Sequence, residues 1–154
     1  MTDRVIRSAL AALAVVAAIV GVWAGFAPRG FYDDFPGGGR VWVAVDGPYN
    51  EHLVRDVGVL NLALLVVTVV ALVTLSRPVV VTAALAWIVY SAPHLVYHAR
   101  HLDVYDTGDK VANIAALTLA LVLPVVVLIA MWRSPPGATP GPHGTHDPAD
   151  RRAG

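Results

Sequence analysis

Apolar residues gather in four long runs, roughly 5 to 27, 53 to 76, 79 to 99 and 111 to 132, and most of the charge lies between them. Each run is close to the about 20 residues that a helix rising about 1.5 Å per residue needs to cross about 30 Å of hydrocarbon. The pattern predicts an all-α fold, a four-transmembrane-helix bundle over residues 1–132 with an ordered outer loop between the first two spans. From Arg133 to residue 154 proline and glycine replace the side chains an ordered segment would bury, which predicts a disordered tail in which His143 and His146 are solvated.

Composition narrows the class. With 56% hydrophobic and 14% charged residues the chain falls outside ordinary soluble composition. The absence of cysteine excludes a disulfide framework, a thiolate metal site and thiol chemistry. A formal net charge of zero gives no global field for nucleic acid, so the expected partner is the lipid bilayer. Small residues in the first span, Ala14, Ala17, Ala18, Gly21 and Ala24, permit close approach of another helix, within the chain, in a homo-oligomer or in a larger membrane complex. The apolar stretch from Ala9 to Ala27 exceeds the about 7 to 15 residues of a signal-peptide core, so the first run is expected to be a retained span.

Four spans put both termini on one side. Arg4, Arg7, Arg77, Arg133, Arg151 and Arg152 would lie there, against Arg29, Arg40, Arg55, Arg100 and Lys110 opposite. Because Arg55 and Arg100 fall within helical pattern, the loop bias predicts cytoplasmic termini in a multi-pass protein of the cell membrane.

The connection from Pro28 to Tyr49 is long and aromatic. Phe31, Tyr32, Phe35, Trp42 and Tyr49 suit the headgroup belt. Gly37-Gly38-Gly39 signals a turn, and Val41-Trp42-Val43-Ala44-Val45 has strand character, which predicts a short strand or hairpin capping the bundle. No Lys-Ser or Lys-Thr follows the glycines, so they form no phosphate loop. The adjacent Asp33 and Asp34 read as solvated carboxylates.

The candidate chemistry sits at the end of the third run. His94, His98 and His101, at i, i+4 and i+7, share one helical stripe. Ionisable groups at the edge of hydrocarbon are costly and mark a site by default. At the start of the second span Asn50 is the natural N-cap and Glu51 favours the helix dipole. Glu51 with Arg55 and His52 with Asp56 have ladder spacing.

Counting along the helices puts Arg55, Asp56, His98 and Asn113 in one layer, with Asn61 and His94 about a turn deeper. Lipid offers such groups no partner. The economical expectation is therefore a shared network of His52, Arg55, Asp56, Asn61, His94, His98, Arg100, His101 and Asn113, in which Asp56 orients His94 or His98 and an arginine neutralises the carboxylate. Pro93 frees the Val89 carbonyl and turns the stripe toward the bundle axis, and Pro124 likewise frees Ala120.

The leading functional expectation is structural or accessory: the network locks helix ends and loop together. The alternative is a non-haem site for a divalent metal ion, with His94, His98, His101 and Asp56 as ligands. Haem, on His52 or His94 and a partner across the bundle, ranks below it. His-Glu-x-x-His and its water-activating Glu are absent, and the histidine string matches only one fragment of the multi-box membrane di-iron hydroxylases, so that chemistry is not expected. Transport is disfavoured because the stretches from Val66 to Leu75 and from Ala115 to Val127 offer only Thr68, Thr74 and Thr118 as polar groups. No motif fixes a reaction, and no catalytic residue is assigned.

At Phe31-Tyr32-Asp33-Asp34-Phe35-Pro36-Gly37, at Gly47 to Gly58 and at Pro93 to Asp103, the chain resembles a group of small four-span membrane proteins of actinobacteria. The resemblance spans about residues 5 to 130. It implies an integral membrane protein and carries no reaction with it.

Overall fold

A computed structural model describes residues 2 to 133. The tail expected to be disordered, with His143 and His146, lies outside the described residues beyond Arg133. In chain order the elements are α1 (Thr2–Phe26), α2 (Pro28–Asp34), β1 (Pro36–Gly37), β2 (Arg40–Val41), α3 (Glu51–Thr74), α4 (Arg77–Arg100) and α5 (Thr107–Arg133). Among them α1, α3, α4 and α5 are long and apolar enough to cross a membrane, matching the four runs to within a few residues. The extra residues are polar first turns, such as Glu51 after its Asn50 cap, whose side chain accepts from the Leu53 amide at 3.2 Å.

Short connections at Leu75-Ser76 and at residues 101–106 make α3, α4 and α5 successive antiparallel neighbours. The ring closes because α1 packs against both α3 and α5. Its core is layered. Ile6, Leu10, Val80, Ala84 and Val127 fill the end that holds the termini, Leu13, Ala17 and Trp87 the middle, and Ala24, Phe31 and Val54 the end beneath the long loop.

Backbones meet directly between α1 and α3. A Cβ added at Gly58 would lie 2.2 Å from the Gly25 nitrogen, and one at Gly21 would lie 2.8 Å from Leu62 Cδ2. Such an approach gains dispersion contact where lipid supplies no hydrophobic drive between helices. Ala17 and Ala24 are fully buried beside it, so the small stripe of the first span serves packing within the chain.

Three of the four long helices, α1, α3 and α5, end in a common way. Carbonyls of a last turn lack intrahelical partners and carry the negative end of the dipole. Arg55 Nη1 of α3 donates to the Gly25 carbonyl of α1 at 2.7 Å, Arg7 Nη1 of α1 to Leu72 of α3 at 3.1 Å, and Arg77 Nη1 of α4 to Met131 of α5 at 2.7 Å. At the end of α4, His101 lies within the same chain segment, with its amide donating to the His98 carbonyl at 3.1 Å and Nδ1 2.8 Å from the Tyr97 carbonyl.

The loop departs from expectation in two places. Its first part is helical: Pro28 opens α2, and Phe31 turns inward, edge-on to Trp23 at 5.9 Å and against Phe35 at 4.6 Å. These phenylalanines have no polar edge to wet, so they fill the space above Ala24 and Val54 instead of joining a headgroup belt. The hairpin exists but is brief. Pro36 pairs with Val41 and Gly37 with Arg40, and Gly38 and Gly39 form the turn at φ of 67° and 81°, where only glycine sits without strain. The strand stops at Val41 because the chain turns at once, the Asp46 amide donating to the Val43 carbonyl at 3.1 Å. Tyr32 then secures the remainder, donating to the Gly47 carbonyl at 2.7 Å.

Candidate functional site at the loop end

The expected site residues fall into separate groups. His52 is exposed and, among the described residues, meets only Asp56, Nε2 to Oδ2 at 3.4 Å, on the surface of α3. Arg55 holds Glu51 at 2.8 Å as well as the Gly25 carbonyl. Both are ladder pairs on one helix, and neither reaches the histidines of α4. Asp56 therefore does not orient His94 or His98.

On α4 the stripe runs upward from Tyr90. Asn61, 1% exposed, donates from Nδ2 to the Val57 carbonyl at 2.9 Å and to the Tyr90 hydroxyl at 3.2 Å. His94 stands perpendicular to the Tyr90 ring at 5.5 Å and leans over His98 at 4.9 Å. The Tyr105 hydroxyl donates to the Trp42 carbonyl at 2.9 Å and lies 3.4 Å from His98 Nδ1. Below, the buried Trp87 contacts Tyr90 edge-on at 6.0 Å and donates its indole N–H to Thr68 at 2.8 Å, while Thr68 donates to its own Leu64 carbonyl at 2.6 Å. A column of hydrogen-bonding and aromatic groups thus descends from the loop to the middle of the bundle.

His101 leaves this column. Spacing alone puts it on the stripe, but α4 ends at Arg100, and His101 folds back to stack on Tyr97 at 4.2 Å. Arg100 is exposed in the last turn of α4, where a cation suits the dipole. Asn113 is 3% exposed and its Oδ1 has no partner among the described residues. Among those residues no three His, Cys, Asp or Glu side chains are grouped to hold a metal ion, so His94, His98, His101 and Asp56 do not form the expected ligand set.

The cap above the column rests on residues outside that expected set. Asp109, in the first turn of α5, accepts from the Trp42 indole N–H at 2.9 Å and from Arg40, and its own amide is held by Asp106 Oδ1 at 2.8 Å. Burial, and then the negative charge of Asp46, pushes the Tyr105 phenol up to about 12. It therefore remains a neutral donor to the loop. Two signals for these residues were in the sequence: Asp106-x-x-Asp109 has the form of a helix cap, and Tyr90 lies four residues before His94. The meeting of Trp42 and Arg40 with Asp109 had no sequence signal, since about 67 residues separate them.

Compared with known proteins, the chain matches no family model, no curated protein and no solved structure. What stands is a four-span membrane protein, its membrane character carried by four apolar helices.

Proposed function

We propose that this chain is a structural or accessory protein of the cell membrane, with cytoplasmic termini, whose loop end forms a rigid outer platform. One observation carries the proposal: Asp109 of α5 gathers Arg40 and Trp42 from the loop, while Tyr105 holds the Trp42 carbonyl beside His98. Arg40, Trp42, Tyr105, Asp106 and Asp109 satisfy one another there, and arginines close the ends of α1, α3 and α5. Such a lid fixes the relative positions of α1, α4 and α5 and offers a partner a preformed surface. The sequence resemblance to small four-span actinobacterial proteins fits this proposal, and a reporter fused to the C-terminus tests its sidedness.

Arg40 makes the platform measurable, because trypsin can cut after it only if the hairpin opens. Asp109→Asn removes the charge that Arg40 and Trp42 share, so cleavage after Arg40 should accelerate severalfold while helical content is kept. Unchanged cleavage would refute a platform held by Asp109. The metal alternative has its own readout. Elemental analysis showing a stoichiometric metal ion that is lost in His94→Ala and His98→Ala would replace the structural proposal with a metal-binding one.

A further inference from the structure

At the opposite end of the bundle the bases are not all engaged. Arg7 and Arg77 close the ends of α3 and α5. Arg4 bonds to no other described residue. It stands at the mouth of an open groove of about 400 Å³ between α1 and α5, with Ser8 one turn further along the same helix face and Val5, Ala9, Leu123 and Val126 as walls.

We propose that this groove binds an anionic phospholipid, with an acyl chain along the apolar walls and the phosphate at Arg4 and Ser8. Three features select that occupant. The groove faces the bilayer, so a chain lies along it without leaving hydrocarbon. Its only polar lining residues are a guanidinium and a hydroxyl, two donor types suited to phosphate oxygens. The described charges at this end are Arg4, Arg7, Arg77 and Arg133 against Asp3, a net positive field that favours an anionic over a zwitterionic headgroup. A free phosphate would find only the mouth and gain nothing from the walls.

The test is intact-complex mass spectrometry of the full chain released from micelles containing phosphatidylglycerol or phosphatidylcholine, with circular dichroism confirming helix content. The expected result is one retained phosphatidylglycerol, favoured over phosphatidylcholine by about fivefold, the preference disappearing in Arg4→Gln. Arg133→Gln, at the same end but off the groove, should keep it. Ser8→Leu, which fills the groove while leaving Arg4, should lower retention of both lipids. Equal retention of the two lipids by the unaltered chain would overturn the proposal, as would equal losses in Arg4→Gln and Arg133→Gln, which signify diffuse charge. Displacement of the lipid by millimolar inorganic phosphate would overturn it in favour of a simple anion site.

Discussion

Helices α1 and α4 face each other across the ring and hold their neighbours by different physics. Helix α1 meets α3 through glycine, backbone on backbone, with Arg55 closing its end. Helix α4 meets its neighbours through side-chain hydrogen bonds: Trp87 to Thr68, Asn61 to Tyr90, and Ser91 to the Ala120 carbonyl at 3.4 Å. The last of these addresses the carbonyl that Pro124 leaves without its i+4 donor. The contrast concerns tolerance. Close backbone packing is intolerant of one added carbon, because neither backbone can yield. Interhelical hydrogen bonds in membranes contribute only about 0.6 kcal/mol on average, because a loosened chain finds other partners.

The sharpest break of that comparison is Gly58→Ala. Its methyl would meet Gly25 backbone atoms at 2.2 and 2.6 Å, so the helices must separate, and the cost should reach about 3 kcal/mol or more. Thermal unfolding in detergent reads this directly. Gly25→Ala is its counterpart: the methyl would find Gly58 at 3.9 Å, ordinary contact, and stability should stay within about 0.5 kcal/mol. Equal effects of the two substitutions would disprove the asymmetric fit.

On the α4 side Thr68→Val should cost about 1–2 kcal/mol, since it leaves the buried Trp87 N–H without its acceptor. Thr68→Ser should recover most of the loss, and a shift of tryptophan emission in the Val variant alone would tie it to the indole. Ser91→Ala should cost about 0.5 kcal/mol or less, given the long bond, and a larger drop would show that the polar seam contributes more than an average interhelical hydrogen bond.

The smallest effect is confined to alkaline solution. Folding holds the Tyr105 value above the ordinary phenol value of about 10, so the neutral form is favoured in the folded chain. Its contribution to stability is complete below pH about 10 and is lost as pH rises through about 12. Ultraviolet titration should reveal a phenol ionising near 12 that is missing in Tyr105→Phe. An unaltered titration curve in that variant would remove Tyr105 from the buried cap.

The sequence by itself determined what depends on neighbours in the chain. Runs of apolar residues fix the number and extent of the spans, since hydrocarbon thickness sets helix length; Asn50 as a cap, and the pairs Glu51 with Arg55 and His52 with Asp56, follow from helical spacing. The stripe of His94 and His98 was equally legible, because periodicity places residues on a face. Which partners that face meets was decided only by the tertiary structure. The loop returns over the bundle and, through the Tyr105 hydroxyl between the Trp42 carbonyl and His98, meets the stripe, while the carboxylate of α3 expected to serve the histidines, Asp56, stays on the surface with His52. His101 shows the limit from the other direction: it has the spacing of a stripe residue, but the helix stops one position short and its ring goes to Tyr97. Depth along a span can be counted from composition, whereas direction around it and contact across it depend on how four helices close into a ring, and that is set by Gly25 against Gly58 and by arginines reaching the ends of neighbouring helices.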